Sequence, residues 1–191
     1  MNNKKRLVAM ILVVVLAFGA GIGGTLAYLA AKTNDVTNTF TFGNLSVTLE
    51  ETTGTQYQIV PGTDLHKDPK ASVQAVEGYD KVDAYLFVKA VKTNWPDSKV
   101  TFSIADGWTQ VPGETDVWYR EVPVSEYGKE YQILAGDTQF ADGVVKVDST
   151  MTKTEVEAAH AKGTPTLTFT AYAVQKANLT VEEAWKQVPA V

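Results

Sequence analysis

Residues 82–91 constrain the chain most. Val82, Ala84, Leu86, Val88 and Ala90 alternate with Tyr85, Phe87 and Val91, so a period-two segment is apolar on both of its faces. A strand of that kind is predicted to lie inside a sheet with cover on each side. Val82, Val88 and Val91 are β-branched and Tyr85 and Phe87 aromatic, types enriched in strands.

Shorter alternating runs surround it. Phe40 and Phe42 share one face, and Leu45, Val47 and Leu49 share one face of the next stretch, with Gly43 shifting the phase between them as a bulge would. Residues 57–60 read as a short strand running into the turn Pro61-Gly62. Residues 100–104, 117–122, 131–134, 144–147 and 167–174 are further strands, punctuated by Gly107, Pro112-Gly113, Gly128, Gly136 and Gly143. Two capping boxes, Thr152-x-x-Glu155 and Thr180-x-x-Glu183, announce two short helices, the first ending near Gly163. This pattern predicts an all-β fold: an antiparallel β-sandwich of jelly-roll or Greek-key type with one or two short helices. No repeat or low-complexity linker divides it, so residues 40–191 are expected to form one domain.

Composition excludes some chemistry. The chain has no cysteine, which removes disulfides, thiol catalysis and cysteine-bound zinc or iron–sulfur centres. Hydrophobic residues make up 45% and charged residues 20%, enough for a packed core. The formal charge is −5, and the first 27 residues hold Lys4, Lys5 and Arg6 without one acid, so the remainder is more acidic still. Such a body repels phosphate backbones, and no nucleic-acid partner is expected.

The N-terminus reads as an export signal. Lys4-Lys5-Arg6 precedes the uncharged run LVAMILVVVLAFGA, and Thr25-Leu26-Ala27 places small residues at −3 and −1 of a cleavage point before Tyr28. Residues 1–27 are thus expected to be a signal peptide, with Ala30 and Ala31 offering later cuts. The alternative is a retained anchor: the uncharged run from residue 7 to 31 has 25 residues, enough to span a ~30 Å hydrocarbon core at ~1.5 Å per residue. Both readings put the body outside the cytoplasmic membrane, and the membrane is touched only through an uncut N-terminal segment.

Catalytic and metal motifs are sparse. There is no HExxH, HxxEH or GxSxG, and the histidines are His66 and His160. Asp64, His66 and Asp68 form the only cluster with ligand chemistry, and a solvated loop is the plainer reading because a site needs three or four convergent donors. Asp80, Asp83, Asp137, Asp142 and Asp148 have the chemistry to contribute to a calcium site, but they form no DxDxDG run. Gly21-x-Gly23-Gly24 lies inside the signal segment, not after a Rossmann strand. Asn178-Leu-Thr180 is a formal sequon, but Thr180 is better used as a helix cap. The four tryptophans, Trp95, Trp108, Trp118 and Trp185, are core or rim residues unless they stand exposed to stack on sugars. No catalytic residue, metal or cofactor is assigned.

Two segments carry a resemblance. Gly23-Gly24-Thr25-Leu26-Ala27-Tyr28, followed by Thr37-Asn38-Thr39-Phe40-Thr41-Phe42-Gly43-Asn44-Leu45-Ser46-Val47, resembles the signal end and first strand of the TasA/camelysin family. Pro61-Gly62 with Lys67-Asp68-Pro69, the strand near Asp83-Ala84-Tyr85, and Ala171-Tyr-Ala-Val-Gln175 with Ala184-Trp185 are similar to later parts of it, while roughly residues 95–160 are unmatched. The resemblance implies a jelly roll, processing by a SipW-like signal peptidase, export to the cell surface or biofilm matrix, and assembly of copies into fibres. In such fibres an N-terminal segment of one subunit completes the sheet of the next. The protease activity assigned to camelysin-type relatives is not carried over, because the motifs are missing.

The physics of strand donation suits the segment 28–39. An open sheet edge offers unpaired N–H and C=O groups, and a short extended segment can fill it. Tyr28, Leu29, Ala30, Ala31, Val36 and Asn38 are the candidate donor residues, freed when the bond near Ala27 is cut. The expected function is therefore a secreted structural protein forming homo-oligomeric fibres. The alternatives are a non-polymerising surface module for glycan or protein, and a secreted protease.

Overall fold

The computed structural model describes residues 30–32, 40–42, 45–54, 57–96 and 98–189. Twelve strands lie in these residues: β1 (Ala30–Lys32), β2 (Phe40–Phe42), β3 (Leu45–Glu50), β4 (Leu65–His66), β5 (Lys70–Ala75), β6 (Ala84–Thr93), β7 (Val100–Phe102), β8 (Thr109–Gln110), β9 (Val117–Val122), β10 (Tyr131–Gln132), β11 (Val144–Val147) and β12 (Thr166–Gln175). The helices are α1 (Lys153–Ala161) and α2 (Val181–Trp185), with a 3-10 turn at Val124–Glu126. None of the described helices is long and apolar enough to cross a membrane, and residues 1–29 lie outside the description.

The molecule is an all-β antiparallel sandwich. One layer is a five-stranded sheet in the order β1-β12-β6-β9-β8. The facing layer contains a four-stranded sheet, β10-β5-β3-β2, and a three-stranded sheet, β4-β11-β7. Main-chain bonds stitch these two together: Ile133 N–H donates to the Pro69 carbonyl and Ala135 N–H to the Ser103 carbonyl, each at 2.9 Å.

The predicted central strand is β6, paired along its whole length with β12 and flanked by β9. Its two apolar faces have two separate partners. Ala84, Leu86, Val88 and Ala90 enter the sandwich core with Leu45, Val47, Val73, Val145 and Phe169. Tyr85 and Phe87 face outward, where Tyr172, Val174, Ala184 and the half-buried Trp185 cover them. Phe87 has no exposed surface, and burial of such a side chain contributes about 1.5–3 kcal/mol. The small helix α2 is therefore the second cover that the β6 pattern demands. Its start is held by the predicted box: Glu183 N–H donates to Thr180 Oγ1, and Glu183 Oε2 accepts from Thr180 N–H at 2.9 Å. The box at Thr152 and Glu155 opens α1 in the same way.

Three expectations are corrected. The run from Phe40 to Leu49 is two strands rather than one bulged strand: β2 pairs with β3 in the register Phe40↔Val47 and Phe42↔Leu45. Residues 57–60 form no strand; they lie across the open side of the sandwich. Residues 131–134 reduce to β10 plus an isolated bridge between Ile104 and Leu134.

Candidate assembly edge and groove

The outer edge of β12 is unevenly used. On its β6 side all ten residues are paired, from Thr166↔Thr93 to Gln175↔Ala84. On the other side, three are: Ala30↔Val174, Ala31↔Ala173 and Lys32↔Tyr172. Among the described residues no strand lies along 166–171. The edge of β3 behaves alike, since β2 pairs with residues 45–47 and no described strand flanks residues 48–50 on that side. The N-terminal strands thus close one half of the sandwich's side, and no described strand lies along the other half.

A groove of about 710 Å³ opens there. Its walls include Leu49, Ile59, Trp95, Val145, Leu167 and Phe169. Leu167, Phe169 and Ala171 alternate inward along β12 and join the sandwich core, so the groove leads to the core. Trp95 is fixed by its indole N–H, which donates to the Val100 carbonyl at 2.8 Å, and by an edge contact with Phe102. Val60, on the rim, keeps 45% of its surface exposed.

A buried polar knot stands at the mouth. Lys67 Nζ lies 2.5 Å from Glu51 Oε1 and 4.5 Å from the centre of the Tyr57 ring. The Tyr57 hydroxyl has Glu51 Oε1 at 3.1 Å and the Gly54 carbonyl at 2.8 Å as alternative acceptors for its one proton. Burial, with the negative Glu51 beside it, pushes that hydroxyl up to about 12. Asp68 is 2% exposed. Burial alone would raise its carboxyl, but the Thr52 hydroxyl and the N–H groups of Thr52 and Thr53 outweigh it and bring the value down to about 2. Each charge in the knot is matched by a partner, which ties the chain after β3 to the chain after β4.

The three side chains weighed as a ligand loop take separate partners. Asp64 Oδ1 accepts from the Val147 N–H at 3.3 Å. His66 sits in β4, stacks on Phe140 at 4.7 Å, and holds Asp142 through Nε2 at 2.6 Å. Asp68 is engaged by Thr52 and Thr53. Among the described residues no three His, Asp or Glu side chains are placed to hold a metal ion. The aspartates proposed for calcium are dispersed in the same sense: Asp83 accepts from Val124 N–H, Asp137 caps the turn at Gln139 and Phe140, and Asp148 caps the turn at Thr150. All four tryptophans are half-buried, and Trp95, Trp108 and Trp185 spend their N–H on protein acceptors.

Of the cleavage and donor residues, Thr25, Ala27, Tyr28, Leu29, Val36 and Asn38 lie outside the described residues. Ala30 and Ala31 lie in β1, so part of the candidate donor is already strand-paired within its own copy. The sequence reading missed this pairing, as well as β4, β5 and β8. Ala71 and Val73 of β5 do alternate with polar neighbours, a signal that was legible. Compared with protein-family models, curated proteins and solved structures, the chain matches none.

Proposed function

We propose that the chain is an exported structural protein of the cell surface or biofilm matrix, which assembles into fibres by passing its N-terminal segment to the next copy. One observation carries this: the edge of β12 accepts the N-terminal segment at residues 172–174 and then continues, without a described strand, beside an apolar groove. An incoming extended segment gains main-chain bonds along 166–171 and buries alternate side chains against Leu167 and Phe169. A contact in which one end of a copy meets a different surface of the next does not close on itself, so it propagates. The resemblance to the TasA/camelysin family supports the same reading, with a SipW-like signal peptidase releasing the segment near Ala27. The half-buried tryptophans give a glycan platform no comparable support.

The test is negative-stain electron microscopy of the exported protein, expressed in full in a Gram-positive host, beside the same chain lacking residues 28–38. Filaments from the first and none from the second are expected. If the intact chain stays monomeric at high concentration, the reading fails.

A further inference from the structure

We infer that the β1–β12 ladder is a self-pairing latch that must open before a copy can donate its segment. This rests on the reading of the N-terminal segment as the connector between copies. Ala30–Lys32 pair with residues 172–174 of their own chain. The same backbone groups cannot serve a neighbour at the same time, so the single copy holds its donor in reserve.

The geometry makes the latch short. By Phe40 the chain has reached the facing sheet, where Phe40 pairs with Val47. Among the described residues, β1 pairs with three residues of the β12 edge, against the ten that β6 holds. A donated segment carries no such tie to the accepting copy. It can run along residues 166–171 and fill the groove, so it forms more pairs than the latch gives up. The direction of exchange follows: opening costs a few bonds, and insertion returns more. A latched copy still presents its own groove, so it accepts a neighbour's segment while withholding its own. Such a copy ends a fibre.

The chain has no cysteine, so a new pair can be cross-linked cleanly. Ala31 and Ala173 lie directly opposite one another, and the variant Ala31→Cys/Ala173→Cys, exported in full, locks the latch when oxidised. The oxidised protein is expected to remain monomeric, and its reduction is expected to restore filaments like those of the unaltered chain. Added in small amounts to unlocked protein, oxidised copies are expected to shorten the filaments, which a merely misfolded variant would not do. Oxidised protein that polymerises as readily as reduced protein, or that leaves filament length unchanged on mixing, overturns the latch while leaving donation standing. Absence of filaments from both the unaltered chain and the reduced variant overturns donation itself.

Discussion

Lys67 Nζ lies 2.5 Å from Glu51 Oε1, with 10% and 19% of the two side chains left exposed. The pair joins the residue just after β3 to the residue just after β4 and forms the polar lip of an apolar groove. Removing one partner leaves the other charge poorly solvated. Lys67→Met is expected to destabilise the fold by about 3 kcal/mol in a denaturant titration, and adding Glu51→Leu is expected to recover most of that loss.

Asp68 predicts an acid limb. Its carboxyl is held at about 2 against an ordinary value of 3.8. A depressed value in the folded state means stability that is present above the unfolded value and is lost as pH falls through the folded one. The contribution, about 2 kcal/mol, is therefore expected to vanish between about pH 4 and pH 2. Unfolding of Asp68→Asn followed over that window should give a visibly shallower slope, with the loss already present at pH 7.

Trp185 lies 5.3 Å from Phe87 and 5.7 Å from Tyr172, centre to centre. Trp185→Ala is expected to uncover the outer face of β6 and to cost about 3 kcal/mol. Near-ultraviolet circular dichroism and denaturant unfolding check it together. The groove lies on the other face of the sheet, so filament formation below the new melting temperature should be retained.

Leu167 lines the groove and is only partly buried. Leu167→Lys places a charge where a donated strand would pack. A stability change of no more than about 1–2 kcal/mol is expected, with filament yield on electron microscopy falling to background. Normal filaments from a folded variant would place the accepting edge elsewhere.

Because Asp64, His66 and Asp68 each serve a different partner, chelation is expected to leave the melting temperature unchanged. His66→Ala should act locally instead, by releasing Asp142 and unstacking Phe140. Calorimetry with and without EDTA on both proteins checks this.

Local signals were legible wherever the physics is local. Capping boxes link residues three apart, and Thr152 and Thr180 opened helices as their spacing implied. Alternation over six or more residues marked β3, β6 and β12, and a strand apolar on both faces had to be central. Short strands carry too few residues for a period to show, which is why β4 and β8, of two residues each, were missed. Residues 57–60 show the reverse case: a run with strand propensity that lines the groove without forming a strand, because pairing is decided by chain elements far away in sequence.

The sequence by itself determined that this chain makes a sandwich without cysteine, with an acidic body behind an apolar N-terminal run. It could not say which strand edge lacks a partner among the described residues. That depends on where Ala30–Lys32 meet residues 172–174 and where Phe40 turns to Val47, contacts between segments that share no local pattern. Nor could it say which partners Asp64, His66 and Asp68 would take, since they read as residues of a solvated loop. Tertiary structure sent one to Val147, one to Asp142 and the buried Asp68 to Thr52 and Thr53, where its carboxylate had to find donors within reach.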